Sequence, residues 1–162
     1  MDYNNKIVEV ALSEVGYSEI PKNSNKTKYG KWFGLNGVPW CGIFVSWCYW
    51  KAGIQLPKIG FSNGFAGCQT AMQYFSSKKQ IVVIPRPGDL AFFDWNNDNR
   101  FDHVGIVSSF IFNIGTNLMI DVVEGNTSLG NYSNGGKVME RTRYIVKHNI
   151  VFVRPKILLN AE

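Results

Sequence analysis

A chain of 162 residues is long enough for one domain with a sizeable core, and a hydrophobic content of 45% is that of an ordinary globular protein. The net charge is +5, from 17 Lys and Arg against 12 Asp and Glu, but the basic residues are dispersed and form no nucleic-acid motif. We therefore expect no nucleic-acid partner. The charge indicates either attraction to a polyanionic surface or a merely solvated surface.

The sequence contains no segment that predicts a membrane span or a signal peptide. The longest uncharged apolar run, Val38–Trp50, is shorter than the ~20 residues that cross a bilayer, so we expect no membrane insertion. The first six residues have no apolar core of the signal-peptide kind. On this basis the protein would stay in the cytosol or leave by a route that needs no signal. No repeat or linker divides the chain, so we expect one domain over residues 1–162 and a monomer.

The first half of the chain is predicted to contain helices. Apolar residues recur at helical spacing in Asn5–Val15, which ends at Gly16. A long polar loop is expected from Tyr17 to Val38. It is followed by a buried helix that begins after Pro39 and ends at Gly53. A further helix should begin near Ser62 or Asn63 and run to about Ser76.

The second half of the chain is predicted to contain strands, because β-branched and aromatic segments alternate there with Pro, Gly, Asn and Asp. The expected strands are Ile81–Ile84, Leu90–Phe93, His103–Val107, Leu118–Val123, Lys137–Ile145 and Ile150–Val153. Helices followed by strands indicate an α+β domain, with N-terminal helices packed on a mostly antiparallel sheet of about six strands.

The three cysteines are expected to be reduced. Cys41 lies in the first turn of the buried helix, where the helix dipole favours a thiolate, although a small buried side chain is the alternative. Cys48 is seven residues further along the same helix, too far from Cys41 for a disulfide. Cys68 falls on the apolar side of its predicted helix, which indicates a place in the core. Their spacing matches no zinc pattern.

A thiolate nucleophile needs a base, and the chain has only two histidines. His103 begins an apolar strand after a polar loop, whereas His148 lies in a predicted hairpin turn and is expected to be solvated. Glu124 and Asn126 end a later strand. If that strand continues through Gly125, both side chains point to one face and toward His103.

Four segments in this order resemble the CHAP family of cysteine- and histidine-dependent amidohydrolases and peptidases of bacterial cell walls. The segments are Pro39–Cys48, Pro87–Phe93, Asp102–Val107 and Glu124–Asn126. The resemblance implies a papain-like α+β fold. It also implies Cys41 as nucleophile, His103 as general base and acid, Glu124 as the residue that orients His103, and Asn126 as an aid to the ring or the oxyanion.

The substrate implied by the resemblance is peptidoglycan, either the bond between muramic acid and the stem peptide or a bond within the stem or cross-bridge. Many relatives carry glutamine before the nucleophile, where this chain has Trp40. The side-chain part of the oxyanion hole is therefore unassigned, and we expect the Cys41 backbone N–H to contribute. Aromatic residues near the nucleophile are candidates for a substrate groove, although packing is the alternative: Tyr29, Trp32, Phe33 and Trp40.

The loop before His103 is a candidate calcium site. Asp94, Asn96 and Asp98 have the alternate spacing of the first half of a calcium loop, with Asp102 as a further ligand. The usual glycine and the bidentate glutamate are missing, so a polar hairpin loop is the alternative. The chemistry itself requires no cofactor.

Three classes of function remain open at this point. The leading hypothesis is a hydrolase acting on the bacterial cell wall, encoded by a phage, associated with a virion or exported by another route. A non-catalytic wall-binding or virion structural protein on the same fold is the second. A cysteine peptidase acting on proteins is the third.

Overall fold

Four helices precede a six-stranded antiparallel sheet in the part of the chain that the structure describes. The computed structural model describes residues 3–111, 118–145 and 149–157. The helices are α1 (Tyr3–Ser13), α2 (Lys28–Phe33), α3 (Cys41–Lys51) and α4 (Cys68–Ser77). The strands are β1 (Ile81–Val82), β2 (Leu90–Asp94), β3 (His103–Ile111), β4 (Met119–Thr127), β5 (Lys137–Tyr144) and β6 (Asn149–Val153). The predicted α+β class is confirmed.

The sheet has the strand order β1-β6-β2-β3-β4-β5, and neighbouring strands are antiparallel throughout. Strand β2 is central and buried on both faces. Leu90 and Phe92 pack into the main core, while Ala91 and Phe93 join a second apolar cluster. Because both faces are covered, this strand is a continuous apolar run instead of an alternating one.

Helix α3 is buried without interruption from Cys41 to Tyr49 and packs on β3 and β4. It begins two residues after Pro39 and is followed by Gly53 with φ of 84°, as the sequence predicts. Gly125 allows β4 to approach this helix, because a Cβ there would lie 2.7 Å from Phe44. The helix N-terminus is thus fixed against the strands that carry the polar residues.

The prediction of a continuous loop over Tyr17–Val38 is wrong, because α2 lies inside it. Thr27 caps this helix by accepting a hydrogen bond from the Gly30 N–H at 2.9 Å, and Gly34 ends it with φ of 84°. Six residues containing glycine and lysine give a weak periodic signal. Packing of Tyr29 and Phe33 into the core stabilises a helix that propensity does not predict.

Helix α4 begins at Cys68, later than the predicted start near Ser62 or Asn63. Phe61 and Gly64 instead form an isolated bridge, and Gly64 has φ of 122°. The later start places Cys68 in the first turn of its helix. No helix in the described ranges is long and apolar enough to cross a membrane.

Candidate active site

Cys41 is the first residue of α3, and its sulfur lies 3.6 Å from the sulfur of Cys68. The side chain is 4% exposed. Contact with the Cys68 thiol lowers the pKa of Cys41 well below its ordinary value, against the opposing effect of burial, and the neighbouring His103 adds to the lowering. The N-terminal end of the helix dipole acts in the same direction. Cys41 is therefore suited to be a thiolate at neutral pH.

His103 begins β3 and is fully buried. Its Nε2 lies 3.0 Å from Oε2 of Glu124, and its Nδ1 has no hydrogen-bond partner among the described residues. Burial opposes protonation, but interactions with Cys41 and Glu124 raise the pKa of His103 to about 9. The raised pKa favours the imidazolium form, in which Nε2 donates to the Glu124 carboxylate. His148, the other histidine, lies outside the described residues.

Glu124 lies on β4 directly opposite Gly105 of β3. A Cβ on Gly105 would come within 2.9 Å of Cγ of Glu124, so glycine leaves the space in which this side chain reaches His103. Burial raises the pKa of Glu124, but hydrogen bonds from His103 and Arg143 outweigh it and the pKa is lowered. The predicted partnership of His103 and Glu124 is present in the geometry.

Arg143 of β5 belongs to the site, although no pattern in the sequence points to it. Its Nε donates to Oε1 of Glu124 and its Nη2 donates to Oε2, each at 2.7 Å. The guanidinium lies over the rings of Trp95, at 4.9 Å, and Tyr132, at 4.8 Å. A buried glutamate requires a cation, but the register places Met139 opposite Glu124, so only the folded side chains show which of the 17 basic residues supplies it.

Asn126 is placed differently from the expectation that it faces His103. Its Nδ2 donates to Oδ1 of Asn134 at 3.0 Å, and its Oδ1 accepts from the Gly136 N–H at 3.0 Å. Asn126 has φ of 60°, and the β4–β5 register shifts between Glu124 and Thr127. This irregularity breaks the alternation from which a common face was predicted. Its side chain supports the β4–β5 connection.

The aromatic residues proposed for a groove are mostly in the core. Tyr29, Phe33 and Trp40 are buried, so they offer no surface to a substrate in this structure. Trp40 donates from Nε1 to Glu19 at 3.2 Å and stacks on Tyr29. Trp32 is half-buried, 5.0 Å from Trp50 near the far end of α3. A substrate contact at Trp32 stays a prediction.

The acidic loop after β2 is held together by its own backbone. Asp94 accepts hydrogen bonds from the N–H groups of Asp98 and Asn99, and Asp98 accepts from the Arg100 N–H. Within the described ranges, no group of three or more His, Cys, Asp or Glu is arranged to hold a metal ion. The carboxylates of the loop have these internal partners, and calcium binding by Asp94, Asn96, Asp98 and Asp102 stays a prediction.

A thiol at a helix N-terminus, a buried imidazole and a carboxylate on an antiparallel sheet are the arrangement found in papain-like cysteine hydrolases. A scan against protein-family models matches the CHAP domain over residues 33–126. The match covers more than half of the chain and includes Cys41, His103 and Glu124. The chain belongs to the CHAP domain family, whose members are typically cysteine-dependent hydrolases of peptidoglycan. A search of curated proteins found no match.

Proposed function

We propose that this protein hydrolyses an amide bond of bacterial peptidoglycan through an acyl-enzyme on Cys41. The proposal rests on three buried and interacting side chains within the CHAP domain, those of Cys41, His103 and Glu124. A protein that only bound the wall would have no use for a thiol whose pKa is lowered beside an imidazolium. The bond cleaved is either N-acetylmuramoyl-L-alanine or an amide of the stem or cross-bridge.

The proposed reaction is acyl transfer in two steps. The Cys41 thiolate attacks the amide carbonyl, and His103 donates its proton to the leaving amine. His103 then accepts a proton from water, which attacks the acyl-enzyme and releases the acid. Glu124 holds the ring with Nε2 bound and Nδ1 available for this proton transfer. We expect the Cys41 N–H to stabilise the oxyanion.

We propose that the substrate binds beside His103, on the side where Trp95 and Tyr132 lie. The ring of Trp95 lies 6.0 Å from that of His103 and 5.5 Å from that of Tyr132. Tyr132 is 43% exposed, so the part of its ring that Trp95 and the neighbouring arginines leave open can meet a substrate. Aromatic faces of this kind pack well against the apolar faces of sugars and peptide units.

The test of the proposed function is clearing of purified bacterial walls by the wild type and by Cys41→Ser. We expect Cys41→Ser to lose at least about a thousandfold in rate, because the nucleophile acts only in the chemical step. Cys48→Ala is the matched control, since Cys48 lies on the same helix in the core, and it should keep its activity. Equal clearing by wild type and Cys41→Ser, or no clearing of any wall type tried, would refute the proposal.

The bond cleaved is determined by mass spectrometry of the fragments released from a defined peptidoglycan. Free stem peptides with an unmodified N-terminal alanine indicate an amidase, while shortened stems or opened cross-bridges indicate an endopeptidase. Activity on casein without activity on walls would instead select a peptidase that acts on proteins.

A further inference from the structure

The second thiol beside the nucleophile has no part in the proposed hydrolysis. Cys68 is the first residue of α4, its side chain is 7% exposed, and its sulfur lies 3.6 Å from that of Cys41. Both cysteines are free thiols. Two free thiols in van der Waals contact at a candidate catalytic centre differ from an ordinary pair of core cysteines, because the pKa of one of them is lowered.

We propose that Cys41 and Cys68 are a site of reversible oxidative modification, at which a peroxide converts the two thiols to a disulfide. The disulfide removes the nucleophile, so the same site becomes an oxidative off-switch for hydrolysis. The modification is a chemical property of the thiol pair, and only its effect on hydrolysis rests on the proposed function.

The reaction is a two-electron oxidation in two steps. The Cys41 thiolate attacks one oxygen of the peroxide, forming an S–O bond as the O–O bond breaks, and the leaving hydroxide takes the proton of the His103 imidazolium. Cys68 then loses its proton and attacks the Cys41 sulfur, forming the S–S bond as the S–OH bond breaks. The second hydroxide takes the Cys68 proton. For hydrogen peroxide, two thiols and one peroxide give one disulfide and two waters.

The two thiols are suited to different steps. The pKa of Cys41 is lowered, which makes it the sulfur that meets the peroxide. Contact with Cys41 and burial raise the pKa of Cys68, and the nearby Asp102 adds to the effect. Cys68 therefore stays a neutral thiol until Cys41 has been oxidised and its negative charge is gone. Repulsion between two thiolates never arises.

The segments that carry the thiols are fixed to each other. Ser46 Oγ lies 3.0 Å from the Gly42 carbonyl oxygen and 3.0 Å from that of Phe65, and it accepts the Phe65 N–H at 3.1 Å. A Cβ on Gly42 would lie 2.5 Å from the Ala66 carbonyl oxygen. Because these backbones are already in contact, the encounter of the two sulfurs has no loop-closure cost.

A disulfide requires the sulfurs to approach to about 2.05 Å, which is ~1.5 Å closer than the observed contact. Gly67, which follows the fixed residues 65–66, is not packed on its side-chain face, since a Cβ there would meet only Thr70, at 3.8 Å. Rotation of the two side chains and a small shift of the backbone at this glycine close the gap.

The experiment uses the full chain, reduced, desalted and then treated with excess hydrogen peroxide. Mass spectrometry of a non-reducing digest should show a peptide pair linked through Cys41 and Cys68, with the loss of two hydrogen atoms. Wall clearing by the treated protein should fall to background and return when dithiothreitol is added. Because peptide mapping needs no catalysis, it tests the disulfide even if the untreated protein clears no walls.

Two variants separate the switch from simple damage to the nucleophile. Cys48→Ala should behave as the wild type. Cys68→Ala should form no intramolecular link. Its wall clearing, measured against its own untreated sample, should not recover with dithiothreitol, because Cys41 is oxidised further to sulfinic and sulfonic acid. Cys68→Ser replaces it if the alanine variant fails to fold. Sulfinic acid on Cys41 of the wild type without a linked pair, or equal recovery of wild type and Cys68 variants, would overturn the proposal.

Discussion

Arg143 binds both carboxylate oxygens of Glu124, and one of those oxygens also accepts the proton of His103. All three side chains are buried. The Glu124 charge is therefore shared between a permanent cation and the His103 imidazole. Because the guanidinium is planar and binds with two parallel hydrogen bonds, it fixes the direction of the carboxylate as well as its charge.

Replacement of Arg143 should damage both stability and activity. Arg143→Ala leaves the Glu124 charge buried with only His103 as partner, and we expect a loss of about 3–5 kcal/mol in the free energy of unfolding. Arg143→Lys keeps the charge without the planar pair of bonds, so its loss should be smaller. Urea unfolding and wall clearing measure the two effects. Arg141→Ala is the control, because Arg141 bonds to Thr127 and Ser128 instead; equal losses in both alanine variants would contradict this role.

The Glu124 charge should set the alkaline limit of hydrolysis. In the proposed mechanism the active pair is a thiolate with an imidazolium, so activity should fall as His103 loses its proton, near its pKa of about 9. Glu124→Gln removes a negative charge that raises this pKa, and the alkaline limb of kcat/KM should move to lower pH. The shift is measured from the rate of wall clearing between pH 5 and 10. The pKa obtained in this way belongs to the coupled thiol–imidazole pair and not to His103 alone.

The control for that pH profile is Glu140→Gln. Glu140 lies on the neighbouring strand and bonds to Ser108 at the surface, so its loss should leave the alkaline limb unchanged. If the alkaline limb of the Glu124→Gln pH profile coincides with that of the wild type, Glu124 does not raise the pKa of His103.

The sequence predicted the parts of the site that lie on regular elements. Pro39 and Gly53 bracket α3, and this placed Cys41 in its first turn. The turn before His103 and the apolar strand after it placed the imidazole at the start of β3. Antiparallel pairing then brought Glu124 near His103. Each of these inferences needed only local geometry and a regular strand or helix.

The remaining features depend on register and on irregular backbone. The predicted common face of Glu124 and Asn126 is absent, because a bulge and a positive φ break the alternation of β4. Cys68 lies on the apolar face of α4 and in the main core, as predicted, but its contact with Cys41 could not be predicted, and α4 begins five or six residues later than expected. Neither the bulge nor the delayed helix start has a strong local signal, since tertiary contacts determine both.

Substitution of Asn126 should affect stability more than chemistry. Asn126→Ala loses two hydrogen bonds and holds alanine at positive φ, which should lower the free energy of unfolding by about 2–3 kcal/mol. Asn126→Gly should lose less, since glycine adopts this φ freely. Unfolding in urea gives the stabilities, and clearing per folded molecule gives the activity. An Asn126→Gly protein that is stable but as inactive as Glu124→Gln would show that Asn126 is catalytic.

Asp94 should stabilise the loop before His103 with or without calcium. Its carboxylate accepts hydrogen bonds from the Asp98 and Asn99 N–H groups and from the Asn149 side chain. Asp94→Ala in EDTA should therefore lower the melting temperature. The calcium site would be established if calcium raised the melting temperature of the wild type but not that of Asp94→Ala. No change with calcium or chelator would exclude it.

Gly42 should be essential for the position of Cys41, because α3 touches the backbone before α4 at this point. The Cβ of an alanine would lie 2.5 Å from the Ala66 carbonyl oxygen and 3.0 Å from the Phe65 ring. A backbone atom cannot rotate away, so one of the two segments must move, at a cost of about 1–3 kcal/mol.

That movement separates the nucleophile from its surroundings. Gly42→Ala should slow both wall clearing and the formation of the Cys41–Cys68 disulfide, in addition to its effect on unfolding in urea. Gly130→Ala is the matched control, since a Cβ there meets no atom within 4 Å and its φ is not positive. If Gly42→Ala and Gly130→Ala are equally stable and equally active, the close contact between α3 and residues 65–66 does not position Cys41.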